Sequence, residues 1–286
     1  MNLWQAIELG VLQAATEFLP VSSSGHLVLY REVTGRSVEG HLLFDVMLHV
    51  GTLVAVLAVY WRDVLLALVG GLRGIWAVVH RRPLRPLWAG DADLRLAVWL
   101  VVASVPAAVA GILLGKAVER LGERPAAVGA LLLVNGWVLF LAGRGRLFKR
   151  CREPSVRVPD TLGVPLAVGL AQAAALLPGL SRSGLTISTA LACGQERTAA
   201  ARFSFLLSVP AILGAAILTL LRAPAAPTLS QPAPWGPILV GMVISAVVGY
   251  GALRLLLRVL KRGRFTLFAY YCWLAALAVI IWVKVL

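Results

Sequence analysis

Long apolar runs recur along this chain, and they restrict its fold more than any other feature. A run of about 20 apolar residues can cross a hydrocarbon core of about 30 Å as an α-helix. Only 14% of the 286 residues are charged and 59% are hydrophobic, whereas about a quarter of a soluble domain is charged. We therefore predict an all-α polytopic membrane protein. The expected spans are 44–60, 96–115, 126–142, 203–221, 238–257 and 267–283.

The positive charge of the chain is concentrated between these spans. The formal net charge is +14, and the basic residues cluster in 62–95, 144–157 and 254–264. Such clusters mark cytoplasmic segments, so the charge predicts membrane orientation and argues against nucleic-acid binding. The segment 223–236 carries no charge and is expected outside, as are both termini. Tyr270 and Tyr271, near the start of the last span, are interpreted as interfacial anchors.

Two segments of the chain are versions of one another. Residues 10–25 read GVLQAATEFLPVSSSG, and residues 169–184, which lie 159 positions further on, read GLAQAAALLPGLSRSG. Each copy has a proline shortly before its serines. Apolar segments interrupted by Gly and Pro at corresponding places in two halves indicate a binding site inside a membrane protein. This pair of motifs is therefore the predicted functional centre.

The orientation of the loops predicts how the two motifs enter the membrane. Residues 1–43 are expected to begin and end outside, and residues 158–202 to begin and end in the cytoplasm. Each segment is therefore interpreted as a re-entrant helical hairpin, whose broken backbone is satisfied by surrounding protein. If 7–29 crossed the membrane fully instead, the orientation of one half would fail.

The predicted architecture is an inverted repeat in a single integral membrane domain, 1–286. Repeat 1 covers about 1–142 and repeat 2 about 158–286, joined by a basic cytoplasmic linker, 143–157. Each half has one re-entrant hairpin and three transmembrane helices. The hairpin tips, 20–25 and 178–184, are expected to meet near the midplane of the membrane.

The first motif carries groups suited to acid–base chemistry. Gln13 and Glu17 are four residues apart, so they share one face of a helix. A carboxylate at membrane depth costs about 2.5–3.5 kcal/mol on insertion scales, which favours a functional Glu17 over one that only caps a helix. A nearby serine could act as nucleophile with Glu17 or His26 taking its proton. Direct activation of water by these groups is the alternative.

The second motif carries groups suited to binding an anion. The planar guanidinium of Arg182 matches phosphate oxygens, and the amides of a helix that begins here favour negative charge. A structural pair between Arg182 and Glu17 is compatible with that role. The two motifs together suit phosphoryl transfer, which mainly requires positioning and charge stabilisation. The predicted substrate contacts are Gln13, Ser22, Ser24, Gly25, Gly179, Ser181, Ser183 and Thr186.

These motifs resemble the two signatures of the undecaprenyl-diphosphate phosphatase family, also known as bacitracin-resistance proteins. The first is Gln13-x-x-x-Glu17 with the FLPVSSSGH that follows, and the second is the PGLSRSGLT that begins at Pro178. The resemblance extends through 44–62 and 203–214, and so covers nearly the whole chain. It implies a bacterial inner-membrane enzyme whose active site opens to the outer face.

The resemblance also implies an activity and a set of roles. The activity is hydrolysis of undecaprenyl diphosphate to undecaprenyl phosphate and inorganic phosphate, which recycles the lipid carrier for peptidoglycan and other wall polymers and confers bacitracin resistance. Glu17 is implied as base or metal ligand, Ser23 as nucleophile, His26 as proton carrier and Arg182 as phosphate clamp. A divalent cation, Mg²⁺ or Ca²⁺, is implied as cofactor. Many members have glutamate where this chain has Gln13, so Glu17 or the substrate phosphates must hold more of the metal.

Several alternatives remain open at the level of sequence. A transporter or flippase for an anionic lipid would use a similar inverted repeat. A second class of lipid phosphatase is rejected, because Ser188 stands where that class has a histidine. His41, Asp45 and His49 are spaced to share a helix face, as a metal site or, preferably, as support for the hairpins. The sequence does not decide whether the chain forms a homo-oligomer.

Overall fold

The computed structural model describes residues 2–35, 42–145, 161–222 and 235–285. Those residues contain eleven helices and no strand. The helices are α1 (Leu3–Phe18), α2 (Ser23–Thr34), α3 (Leu42–Val79), α4 (Leu84–Gly90), α5 (Ala92–Gly122), α6 (Pro125–Gly143), α7 (Gly163–Ala174), α8 (Arg182–Ala192), α9 (Arg197–Arg222), α10 (Trp235–Lys261) and α11 (Leu267–Val285).

Five helices, α3, α5, α6, α9 and α10, are long and apolar enough to cross a membrane. Their most apolar windows have mean hydropathies between 1.8 and 2.3. The sixth predicted span coincides with the shorter apolar helix α11. The prediction of an all-α polytopic membrane protein is confirmed. Most of the predicted linker 143–157 and of the segment 223–236 lies outside the described residues, as does His41.

The first predicted span is longer than the sequence suggested. Helix α3 continues beyond Tyr60, whose φ of −118° and ψ of 22° mark a kink, and ends only at Val79. The interpretation of 62–95 as a loop is therefore wrong for most of that segment. Its residues pack as a helix against α5, since a Cβ on Gly70 would lie 2.4 Å from the backbone carbon of Asp93. Arg73 stabilises this contact through an ion pair with Asp91, 2.8 Å between Nη1 and Oδ2.

The residues that follow the second predicted span, 116–124, are also mostly helical, because α5 runs to Gly122. Arg120 lies in its last turn, where a positive side chain interacts favourably with the helix dipole. Charged residues at the end of an apolar run therefore do not mark the end of the helix here.

Helices from the two halves of the chain pack reciprocally. Helix α1 packs against α10 of the second half, and α7 packs against α5 of the first half. Helix α3 contacts α9, and α6 contacts α11. The contact between α3 and α10 is close, because a Cβ on Gly51 would lie 2.3 Å from the carbonyl oxygen of Met242. The halves thus interlock rather than form two separate domains.

The sequence repeat is also a repeat of local structure. In each copy a short turn separates two helices, at 19–22 between α1 and α2 and at 175–181 between α7 and α8. Ser22 Oγ accepts a hydrogen bond from the Gly25 amide at 3.2 Å. The equivalent Ser181 Oγ accepts one from the Gly184 amide at 3.1 Å. A serine that accepts from the third following amide is a helix N-cap. Both turns therefore end in a serine cap, although φ is 71° at Ser22 and −89° at Ser181.

Candidate active site

The carboxylate of Glu17 is the point at which the two motifs meet. Its Oε2 accepts hydrogen bonds from Gln13 Nε2 at 3.1 Å and from Ser23 Oγ at 2.6 Å. Its Oε1 accepts one from Arg182 Nη2 at 2.5 Å. Glu17 is only 9% exposed, so a buried carboxylate is held by an amide, a hydroxyl and a guanidinium from both copies.

Ser23 and Arg182 occupy equivalent positions of the repeat. Each is the first residue of the helix that follows its turn, and the two are 159 positions apart. The equivalent of Glu17 in the second copy is Leu176, which supplies no charge. Equivalent positions of the two copies therefore contribute a hydroxyl and a guanidinium to a single carboxylate.

Two buried polar atoms beside Glu17 have no hydrogen-bond partner within the described part of the chain. They are Nη1 of Arg182 and Oε1 of Gln13. Leaving a buried polar group unsatisfied costs about 1–3 kcal/mol, and more for a charged group. One of these atoms is a charged donor and the other an acceptor, so an anion and a cation or hydrogen-bond donor would satisfy them. Both atoms belong to residues that already contact Glu17.

Four further serines surround this point. Ser22 Oγ and Ser24 Oγ are 3.3 Å apart, and Ser181 Oγ and Ser183 Oγ are 3.1 Å apart. Ser22 has a φ of 71°, in the left-handed region that a residue other than glycine rarely adopts. Such a conformation costs about 1–3 kcal/mol and is typical of functional sites.

The two turns also touch each other directly. A Cβ built on Gly25 would lie 3.3 Å from the Cα of Gly179. Gly179 has a φ of 107°, and a Cβ there would lie 2.6 Å from the carbonyl oxygen of Val128 in α6. Position 179 therefore requires glycine for its backbone conformation and its packing. The sequence had predicted Gly179 as a substrate contact instead.

Thr186 lies behind the site rather than at its opening. Its hydroxyl donates to the carbonyl oxygen of Arg182 at 2.7 Å and lies 2.6 Å from Ser204 Oγ of α9. Thr186 is fully buried. The structure thus places this predicted substrate contact where it ties the first turn of α8 to α9.

His26 is held by contacts that leave it apart from Ser23. Its Nδ1 lies 2.8 Å from the carbonyl oxygen of Ser22, and because a carbonyl only accepts, Nδ1 carries the proton of this bond. Its Nε2 lies 2.8 Å from the hydroxyl of Tyr271, and the two rings stack with centroids 5.6 Å apart. Neutral His26 therefore accepts from Tyr271. The hydrogen bonds described for His26 do not include Ser23 or Glu17, so Glu17 is better placed to take the proton of Ser23.

Sequence reasoning missed two residues that contact the motifs. Tyr271, interpreted as an interfacial anchor, bonds His26 across 245 positions. Asn135 of α6 bonds both turns, to the carbonyl oxygen of Pro20 and the amide of Ser181. Neither contact follows a helical or strand period. The available signal was Asn135 itself, a polar residue within an otherwise apolar span.

His49 contacts Glu17 of the first motif. This contact agrees with the interpretation that the face shared by His41, Asp45 and His49 supports the hairpins. Its Nε2 lies 3.6 Å from Glu17 Oε2, and its Nδ1 lies 2.8 Å from the carbonyl oxygen of Asp45. Among the described residues there is no cluster of three or more His, Cys, Asp or Glu side chains that could hold a metal ion. His41 lies outside those residues.

A carboxylate, a hydroxyl and a guanidinium that converge at a buried point between membrane helices define a membrane-embedded site for phosphate chemistry. Comparison with known proteins gives a matching result. The family described as "Bacitracin resistance protein BacA" matches residues 6–278. The chain belongs to that family.

Individual relatives resemble the chain over nearly its whole length. An undecaprenyl-diphosphatase of Desulforudis audaxviator is 43% identical, with 98% of each chain covered. One of Desulfosudis oleivorans is 42% identical, covering 98% of this chain and 97% of the relative. One of Desulfatibacillum aliphaticivorans is 40% identical, covering 98% and 99%.

We predict that Tyr271→Phe lowers the rate of phosphate release about fivefold, because it removes the one hydroxyl that bonds His26 Nε2 at a cost of about 1 kcal/mol. The matched control is Tyr270→Phe, since the Tyr270 ring packs on Phe140 and Trp273 instead. Both variants are assayed in detergent with an isoprenyl diphosphate. Equal rates for the two variants would show that the His26–Tyr271 bond has no part in turnover.

Proposed function

We propose that Glu17, Ser23 and Arg182 carry out the family's reaction at the meeting point of the two turns. The protein is a membrane enzyme that hydrolyses undecaprenyl diphosphate to undecaprenyl phosphate and inorganic phosphate. This reaction recycles the lipid carrier of cell-wall synthesis, and the family confers bacitracin resistance. The residue assignment rests on one observation: the Ser23 hydroxyl and the Arg182 guanidinium both bond to the Glu17 carboxylate.

Ser23 acts as the nucleophile in this proposal and Glu17 as its general base. The 2.6 Å hydrogen bond from Ser23 Oγ to Glu17 Oε2 is the geometry of a serine activated by an adjacent base. Ser23 Oγ attacks the terminal phosphorus while its proton passes to Glu17. The bond from that phosphorus to the bridging oxygen breaks, and undecaprenyl phosphate leaves. Glu17 gives this proton to the bridging oxygen of the departing undecaprenyl phosphate and is again a carboxylate. Water then attacks the phosphoserine, and its proton passes through Glu17 to Ser23 Oγ as inorganic phosphate leaves.

Arg182 acts as the phosphate clamp. Its Nη2 is bonded to Glu17, while its buried Nη1 has no hydrogen-bond partner in the residues that the structure describes. A phosphate oxygen would satisfy Nη1 with a charge-assisted hydrogen bond. The same guanidinium would thus hold the base in place and stabilise charge that develops on the transferred phosphoryl group.

We expect Glu17→Gln and Arg182→Ala each to lower kcat at least about 100-fold, the scale of a lost acid–base group or anion-stabilising donor. Phosphate release from the purified, folded protein is the measurement. Arg73→Ala, which removes an arginine from the ion pair with Asp91, is the control. If folded Arg182→Ala protein turned over at a near-native rate, the clamp assignment would be wrong.

The nucleophile is tested by trapping the intermediate. Rapid acid quench followed by mass spectrometry is expected to find a phosphorylated peptide with the phosphate on Ser23, and Ser23→Ala is expected to lose both the adduct and turnover. Phosphate on Ser22 or Ser24 would assign the attack to a neighbouring hydroxyl. Unimpaired turnover by Ser23→Ala would instead support direct attack by water, since that route needs no covalent serine.

The inverted topology is part of the proposal. We infer that the helix pair α1–α2 enters from the outer face of the inner membrane and that α7–α8 enters from the cytoplasm, with the site opening outward. The reciprocal packing of α1 on α10 and of α7 on α5 supports a two-fold relation between halves. The basic residues at the end of α10, Arg258 and Lys261, support a cytoplasmic position for that end.

Cysteine labelling of repeat-related positions tests this topology. Asn2 and Thr161 are equivalent in the repeat and both are exposed. In intact cells a membrane-impermeant maleimide is expected to label Asn2→Cys and Thr34→Cys, while Thr161→Cys and Gln195→Cys react only after lysis. If Asn2→Cys and Thr34→Cys faced opposite sides, α1–α2 would cross the membrane and the inverted repeat would be wrong.

We also propose a divalent cation at this site. The few protein oxygens present fit a cation that is held mainly by the phosphate oxygens of the substrate. Gln13 Oε1 is a buried oxygen beside the Glu17 carboxylate, and it has no hydrogen-bond partner among residues 2–35, 42–145, 161–222 and 235–285. Mg²⁺ commonly binds through one or two protein oxygens together with phosphate oxygens and water. Glu17 and Gln13 would hold the cation. When bound, it would supply charge neutralisation on the phosphate oxygens.

We expect Gln13→Glu to bind Mg²⁺ at least about tenfold more tightly, because it adds a charged oxygen ligand. Isothermal titration calorimetry with a non-hydrolysable lipid diphosphonate present measures the affinity independently of turnover. Gln172→Glu is the control, because Gln172 is the equivalent residue of the second repeat and is equally buried. The cation assignment to Gln13 fails if both variants bind Mg²⁺ with the wild-type affinity.

A further inference from the structure

Asn135 is a fully buried amide in the apolar helix α6. Its Nδ2 donates to the carbonyl oxygen of Pro20 at 2.9 Å and lies 3.3 Å from Cys272 Sγ. Its Oδ1 accepts from the backbone amide of Ser181 at 3.0 Å. Both ends of one side chain are therefore bonded to backbone groups of the two turns.

The bonded backbone groups lie next to the reacting side chains. Pro20 is three residues from Glu17 and three from Ser23. Its carbonyl oxygen therefore lies in the turn that connects the helix of the base to the helix of the nucleophile. Ser181 is the N-cap of α8, directly before Arg182. The Asn135 amide thus connects the backbone of one reacting turn to the backbone of the other.

This connection is not a consequence of general packing. The neighbouring buried residues of α6, Leu132 and Leu139, are apolar, and a buried amide in such surroundings is costly unless it is hydrogen-bonded. An apolar residue at 135 would leave the Ser181 amide without its acceptor and remove the principal donor to Pro20. Cys272 Sγ, at 3.8 Å from that oxygen, is only a weak donor.

We propose that Asn135 is a positioning residue that sets the relative placement of the Glu17–Ser23 turn and Arg182. It makes no contact with substrate in this proposal and acts through the Pro20 carbonyl and the Ser181 amide. The proposal rests on the proposed function for its effect on turnover. Its effect on the Ser181 amide is independent of that function.

Loss of the Asn135 hydrogen bonds is expected to slow the chemical step. A displacement of about 1 Å between reacting groups can cost about 100-fold in rate. Asn135→Leu, which fills a similar volume without polar atoms, is therefore expected to lower kcat roughly 10-fold to 100-fold while KM changes less than about threefold. Because Arg182 would no longer be aligned with the attacked phosphate, Arg182→Ala should cost less in the Asn135→Leu background than in the native chain.

The test combines kinetics with hydrogen exchange measured by mass spectrometry. In Asn135→Leu the peptide spanning 176–184 is expected to exchange at least about tenfold faster at the Ser181 amide, while peptides from α10 keep the wild-type rate. Leu139→Ala is the matched control, since Leu139 is equally buried one turn further along α6. It is expected to lower the unfolding temperature without changing Ser181 exchange or kcat.

Three results would overturn the proposal. They are native exchange at Ser181 in Asn135→Leu, a kcat within twofold of the wild type, or the same losses in Leu139→Ala. If Asn135→Leu does not fold, the same measurements are made on Asn135→Ala. A failure confined to the Asn135 variants would leave the catalytic assignment intact, because Glu17→Gln and Arg182→Ala test that assignment in an otherwise native chain.

Discussion

The ion pair between Glu17 and Arg182 is the interaction on which the rest of the site depends. A carboxylate buried among apolar helices is costly on its own, and removing one partner of a buried pair leaves an uncompensated charge. Here the two charges come from different halves of the chain, 165 positions apart. The pair is therefore stable only where α1 and α8 are held together. Gln13 and Ser23, which are close to Glu17 in sequence, bind the same carboxylate.

A duplicated sequence motif carries different side chains in its two copies. The turns share the serine cap at Ser22 and Ser181, and the first residue of the next helix follows each cap directly. One copy uses that position for a hydroxyl and the other for a guanidinium. If both copies had kept the same residue, the site would hold two hydroxyls or two positive charges. Divergence at Ser23 and Arg182 makes the surroundings of Glu17 asymmetric, as the proposed phosphoryl transfer requires.

Several residues at this site break ordinary rules of folding. Ser22 has a left-handed backbone, and polar atoms of Arg182 and Gln13 are buried without a hydrogen-bond partner among the described residues. Each feature costs free energy in the absence of ligand. Proteins keep such costs mainly where function requires them. The well-packed contacts around them, including Asn135 and Thr186, hold these strained groups in place.

Composition and periodicity were sufficient to predict an all-helical membrane protein, because in lipid only helices or closed barrels satisfy the backbone. The repeat and its polar residues also singled out Glu17 and Arg182, since charged groups are rarely placed at membrane depth without a purpose. Ser23 was singled out among the neighbouring serines only by the resemblance to the phosphatase family. The extension of α3 beyond Tyr60, the bond from Tyr271 to His26 and the bridge through Asn135 could not be predicted. Each depends on which distant helices pack side by side, and that is decided by tertiary structure rather than by any local pattern of residues.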